Sequence, residues 1–231
     1  GTPTSNYGWQ IRDYEWNMYA IVLYTTDRPP KIASFDRLST TLKTTARTVT
    51  AKITDDNPGG GTFGVASVKL YSKINSGAYT FTAMTLGTAP TYTGTLPAAN
   101  PGDTVVYYIT ATDVNNLTTT TVNTTYTIFK VTKNKLYMWN GRSLPTGITS
   151  PSQLATYGMM KDSTKEKVYY DVWDVKTYGT GDIATLLPNY NGVVEATGDG
   201  GYADLTALAG TWLATGTTAN PKSWFWSDQD H

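Results

Sequence analysis

The chain has 231 residues, 39% of them hydrophobic and only 16% charged, with 18 basic against 18 acidic side chains. That zero balance excludes an electrostatic nucleic-acid surface, which needs clustered Lys and Arg, and no apolar run reaches the roughly 18 residues of a membrane-spanning helix. Cysteine is absent and the one histidine, His231, ends the chain, which excludes thiol catalysis, cysteine-held zinc and an internal histidine base.

Thr, Tyr, Gly and Asn dominate over Lys and Glu, the composition of an extracellular β-rich protein. Residues 1–28 form an extended segment crowded with Tyr7, Trp9, Tyr14, Trp16, Tyr19 and Tyr24. Within it MYAIVLYTT, residues 18–26, is a run of strand formers stopped by Asp27, Arg28, Pro29 and Pro30. It is too apolar for a solvated tail. Alternate residues Tyr19, Ile21 and Leu23 are expected to pack at a sheet edge of a neighbouring copy, which gives an open, fibril-like assembly. The alternative is an edge within the same chain, which gives a monomer or a piece of a longer polypeptide.

Residues 29–131 are predicted to form a β-sandwich. ARTVTAKITDD alternates Val49, Ala51 and Ile53 on one face, and VASVKLYSK does the same with Val68 and Leu70. AYTFTAMTL, PTYTGTL, TVVYYITATD and TTVNTTYTIFK follow, separated by turn clusters. About seven strands in about 100 residues is the spacing of an immunoglobulin-like sandwich. That fold brings DDNPGGG and DVNN to one pole, where Asp55, Asp56, Asp113 and Asn115 are candidate ligands for Ca2+. The alternative there is Asx-turns in polar loops. Tyr107 and Tyr108 are expected to divide two packing roles, one a tyrosine-corner hydroxyl and the other a core ring. Asn116 and Asn123 open N-x-[ST] triplets, and Thr104 and Ser163 sit in short Asp-Ser/Thr motifs, so all four are candidate glycan acceptors.

Residues 132–231 change to strand–helix alternation, the pattern of a parallel sheet with crossover helices. KLYMWN, VYYDVWDV, GVVEAT and SWFWSDQ are the strands. SPSQLATYGMM offers Ser150 as N-cap with Gln153 at the third helical position. ADLTALAGTWLATG places Leu205, Leu208, Ala209, Trp212 and Leu213 on one helix face. Trp173 and Trp212 fall on core faces, whereas Trp224 and Trp226 share one face of the last strand, for which a sugar platform is the alternative to a covered face. A parallel sheet that ends on a bare strand implies a continuing polypeptide or a second chain over that face.

The segment ATGDGGYA, with Gly198, Gly200 and Ala203 in G-x-G-x-x-A spacing, raises a dinucleotide loop as a candidate. Asp199 inside the turn would repel a pyrophosphate, and the motif follows the third strand of this unit rather than the first. The expected role of the glycines is a tight strand-to-helix turn, and no dinucleotide is expected. Asp174, Asp199 and Asp228 each follow a parallel strand and so gather at the carboxyl edge, where a divalent metal and helix capping are the two readings.

The string VASVKLYSK, then MT, then YTGTLPAANPGDTVVYYITATD resembles the Ig-like modules of large secreted bacterial proteins, through Val68, Leu70, Tyr71, Met84, Tyr92, Pro97, Gly102, Asp103, Tyr108 and Asp113. YYDVWDV, LLPNYNGVVEATGDG and SWFWSDQD are similar to a flavodoxin-like module that follows that domain. The resemblance implies a mixed fold, an Ig-like sandwich followed by a small flavodoxin-like α/β unit, and carries no catalytic residues. The sequence is therefore expected to specify a non-catalytic extracellular structural or cell-surface subunit. Its expected partners are copies of itself or neighbouring domains, with glycans and without nucleic acid or a membrane span. The alternative is an accessory, non-catalytic fragment of a large secreted peptidase or hydrolase.

Overall fold

The computed structural model describes residues 27–57, 63–155, 170–198 and 200–228. Tyr19, Ile21, Leu23, Ser163 and Asp199 lie outside them, and Asp228 enters through its backbone alone. The fold is mixed and sheet-rich: two antiparallel sheets, then a small parallel sheet with short helices.

In the first unit β1 (Lys31–Phe35), β2 (Arg47–Thr54), β5 (Thr85–Leu86) and β6 (Thr91–Leu96) form one sheet in the order β1-β2-β6-β5. The second has β4 (Thr80–Ala83), β3 (Val65–Ile74), β7 (Thr104–Asp113) and β8 (Thr118–Thr120) in that order, and β9 (Thr124–Thr127) also pairs with β7. Alternation decides which face is buried, since successive side chains of a strand point to opposite sides. Val49, Ala51 and Ile53 of β2 meet Val68 and Leu70 of β3 and Val105, Tyr107, Ile109 and Ala111 of β7 in one core. Full burial of one such large apolar side chain contributes about 1.5–3 kcal/mol.

Two of the expected strands are divided. AYTFTAMTL breaks at Met84, where the chain leaves β3, the partner of β4, and joins β6, the partner of β5. Met84 turns into the core at this crossing, and Gly94 makes room for it: a Cβ there would lie 2.8 Å from Met84 Cγ. TTVNTTYTIFK breaks between β8 and β9, where the Thr121 hydroxyl accepts from Ile109 N at 3.0 Å. The roles expected of Tyr107 and Tyr108 also need correcting. Tyr107 performs both: its ring is fully buried, and its hydroxyl accepts from Leu38 N and donates to Asp36 O, each at 2.8 Å. Tyr108 stands on the opposite face of β7 and stacks on Tyr71, with ring centroids 4.9 Å apart.

The second unit is a parallel sheet in the order β11-β10-β12-β13, with β10 Lys135–Trp139, β11 Tyr170–Asp174, β12 Gly192–Gly198 and β13 Ser223–Asp228. Its helices are α1 (Pro151–Ala155), α2 (Val175–Tyr178), α3 (Ile183–Leu186) and α4 (Thr206–Leu213). Ser150 Oγ caps α1 by accepting from Gln153 N at 3.2 Å, and Gln153 Oε1 reaches back to Thr149 N at 2.8 Å. One sheet face packs Leu136, Met138, Trp173 and Val193 against Ile183, Leu186, Leu205 and Trp212. Leu213, expected on that helix face, is instead 39% exposed, because α4 and the Leu205 that precedes it meet the core through Leu205, Leu208 and Trp212. The opposite face gathers Tyr137, Trp139 and Ala155, and burial pushes the Tyr137 phenol up to about 12.

The two units are joined by contacts as well as by the chain. Leu42, Phe129 and Val131 pack on the α/β core, and the Asp182 carboxylate accepts from the Thr41 hydroxyl and from Leu42 N. Among the described residues no helix is long and apolar enough to cross a membrane.

Candidate functional site

The order β11-β10-β12-β13 reverses direction between β10 and β12, the point at which open α/β sheets bind ligands beyond their carboxyl ends. Asn140 follows β10 there and is 1% exposed. Its Nδ2 donates to Glu195 Oε1 and to Ala203 O, both at 2.6 Å, and its Oδ1 accepts from Ala203 N at 2.9 Å. Its backbone carbonyl accepts from Tyr202 N at 2.6 Å.

The glycine-rich loop is thereby explained. The amides of Tyr202 and Ala203, which a phosphate would need, are engaged by Asn140. Helix α4 begins only at Thr206, beyond the glycines. Gly198 and Gly200 have φ of 60° and 111°, which side-chain-bearing residues rarely adopt. Gly141, bridged to Gly201, is needed for a different reason: a Cβ on it would lie 2.3 Å from the Trp139 ring. The loop is a packed turn that seals the switch point.

Beside it, between β12, β13 and α4, lies a cleft of about 490 Å³ lined by Glu195, Asp204, Ala209, Trp224 and Trp226 among others. Glu195, which the sequence did not single out, is its chemically distinctive group. Burial raises its carboxyl above the ordinary 4.5, opposed by hydrogen bonds from Asn140 and from Trp224 Nε1 at 3.1 Å. The readable signal was a carboxylate inside an apolar parallel strand, a type of strand buried on both faces. Asp204 is turned away to Thr206 N at 2.9 Å, and that bond lowers its own carboxyl. Trp226 stands at the cleft rim, 62% exposed. Phe225, on the opposite face, is 54% exposed.

Of the three edge acids, Asp174 caps α2: its Oδ1 accepts from Lys176 N and Thr177 N, and its Oδ2 from the Thr177 hydroxyl at 2.6 Å. Among the described residues no group of three or more His, Cys, Asp or Glu side chains is placed to hold a metal ion.

At the sandwich pole the four expected residues divide. Asp55 Oδ2 accepts from Gly64 N at 2.6 Å, and Gly64 O accepts from Val114 N at 3.1 Å, so Asp55 and the end of β7 do share the pole. Asp113 Oδ1 accepts from Asn115 N and Leu117 N, both at 2.8 Å, which is an Asx-turn. Asp56 pairs with Arg28 on the rim instead of joining this group. The Asn115 side chain points to Asp27, donating to its Oδ2 at 2.6 Å. Asn116 and Asn123 are exposed, the former in a left-handed turn with φ of 67°. Thr104 is half-buried, with its hydroxyl 3.4 Å from that of Thr127.

No protein-family model and no curated protein sequence matches the chain. Among solved structures it is similar to a purple acid phosphatase from yellow lupin, with 13% identity and a TM-score of 0.31, over 87% of this chain and 35% of that one. It is similar to a polysaccharide deacetylase from Bacillus cereus, with 13% identity and a TM-score of 0.32, over 86% of this chain and 60% of that one. A shorter match to BhCBM56 has 21% identity and a TM-score of 0.26, over 35% of this chain and 78% of that one.

Proposed function

We propose that the protein is a non-catalytic extracellular structural or cell-surface subunit that assembles with copies of itself by strand addition. The observation that carries this reading is β13. One of its edges pairs with β12, no strand pairs with the other among the described residues, and Phe225 and Trp226 stand exposed on its two faces. A bare edge flanked by large aromatics is a template for a further strand. The strand-former run with Tyr19, Ile21 and Leu23 is the donor in this proposal. The two-sheet unit is read as an Ig-like sandwich. The order β11-β10-β12-β13, which is 2-1-3-4 in local numbering, supports a flavodoxin-like reading of the second unit. Absence of catalysis is supported by Glu195, whose two oxygens are both held by donors, and by Asp204, which is tied to its own helix. Exposed Asn116 and Asn123 support glycan attachment at the sandwich surface.

The test is assembly in solution. The full chain is expected to form multimers or filaments by light scattering and electron microscopy. Deletion of residues 1–28 and, separately, Trp226→Lys should each give monomers. A full chain that stays monomeric overturns the proposal and favours the accessory fragment of a larger secreted hydrolase, in which the next part of the same polypeptide covers β13.

A further inference from the structure

The core-facing stripes of β2 and β7 both run one step past their apolar residues into an aspartate. On β2 the buried series Val49, Ala51, Ile53 is continued by Asp55; on β7 the series Tyr107, Ile109, Ala111 ends in Asp113, itself 1% exposed. The two strands belong to opposite sheets of one core. The Asp55–Gly64–Val114 chain of hydrogen bonds holds the two ends at the same mouth of the sandwich.

Each carboxylate is half satisfied. Asp55 Oδ2 and Asp113 Oδ1 accept backbone amides. Asp55 Oδ1 and Asp113 Oδ2 are buried and accept nothing among the described residues. The other buried acids behave differently. Asp171 receives the Thr132 hydroxyl on Oδ1 and Thr132 N, Lys133 N and the Tyr190 hydroxyl on Oδ2, and Glu195 has a donor on each oxygen. A buried anionic oxygen without a donor or counter-charge is strongly disfavoured, and two of them at one mouth more so. Of the neighbouring charges, Arg28 lines the rim beside Asp55 and pairs with Asp56, and Asp27 accepts from Asn115; neither donates to the two open oxygens.

We infer that a Ca2+ ion binds between Asp55 Oδ1 and Asp113 Oδ2 and closes this mouth of the sandwich. The backbone amides on the two other oxygens fix both carboxylates in place, which is the arrangement a hard cation requires. Oxygen-only donors from separate loops suit the larger, geometrically tolerant Ca2+ better than Mg2+, which demands a regular octahedron. Two carboxylates leave the other positions to neutral oxygens and water. The affinity is then that of extracellular modules, on the order of 10⁻⁴–10⁻³ M.

The experiment measures thermal unfolding of the full chain in EGTA and at rising CaCl2 or MgCl2, with equilibrium dialysis against ⁴⁵Ca. Melting should rise with Ca2+ through that concentration range and much less with Mg2+, with about one ion bound per chain. Asp55→Asn and Asp113→Asn should each abolish both effects, and Asp56→Asn should keep them. Dialysis on Asp55→Asn decides the matter if Asp113→Asn fails to fold. No Ca2+-dependent shift in the wild type, an equal response to Mg2+, or undiminished binding in Asp55→Asn overturns the inference. So does an Asp113→Asn protein that is more stable in EGTA and binds Ca2+ as before, which would remove Asp113 from the site.

Discussion

Replacing Asn140 with Ala removes the side chain that ties the glycine loop to β12. Ala203 N–H and Ala203 C=O lose their partner together, and Glu195 loses a donor to one oxygen. Ala203 is half-buried, so each of its orphaned backbone groups costs toward the low end of about 1–3 kcal/mol, and a hydrogen bond to a charged group is worth about 1.5–3 kcal/mol. These terms overlap, because loop and carboxylate relax together. The expected loss is about 3–5 kcal/mol, at the upper end for single substitutions. Urea unfolding followed by tryptophan fluorescence should show a lower midpoint with an unchanged slope. Asn140→Asp supplies a second, pH-dependent reading. Burial already raises Glu195 above its ordinary 4.5, so the native state binds this proton more tightly than the unfolded chain. The associated stability is fully present below 4.5 and is lost as pH rises through the raised native value. A second carboxylate beside Glu195 raises that native value further. Asn140→Asp should therefore be most destabilised at neutral pH and recover on acidification, starting from a higher pH than the wild type. A loss below about 1 kcal/mol in Asn140→Ala, or a pH-independent deficit in Asn140→Asp, would refute this account of the loop.

Tyr107→Phe leaves Leu38 N and Asp36 O without their common partner, so a loss of about 2–3 kcal/mol in urea unfolding is expected, with faster hydrogen exchange at Leu38. Gly141→Ala drives a Cβ to 2.3 Å from the Trp139 ring and 2.7 Å from Thr197 O; overpacking of this kind costs about 1–3 kcal/mol or more. Gly201→Ala, whose nearest atom would be at 3.6 Å, should stay within about 0.5 kcal/mol of wild type when both glycine variants are compared by urea unfolding.

The alternation of β2, β3 and β7 was legible because one face of each strand meets a core and the period of two survives in the sequence. Met84 was not legible as a crossing point. Nothing local distinguishes a strand that continues from one that changes sheets; the reason sits in Gly94, on a partner strand. Asn140 and Glu195 were hidden for the same reason. Each looks like an ordinary strand-end or in-strand polar residue, and only the adjacency of β10 and β12 turns them into a pair.

The two aspartates at the sandwich mouth stand between these cases. A charged residue at the next core-facing step after an apolar stripe is visible in TVTAKITD and again in YYITATD, and on either strand alone an Asx-turn accounts for it. For Asp113 that account covers Oδ1, which holds Asn115 N and Leu117 N, but not Oδ2. The pairing of Val65 with Asp113 sets Gly64 beside Val114, and Gly64 N in turn holds Asp55. An Asx-turn and a loop-spanning aspartate are thereby brought to one mouth, each with one oxygen left over. Turn chemistry is written in a few consecutive residues, whereas a shared demand for charge arises only from the register between strands, which is why the pair needs coordinates to be recognised.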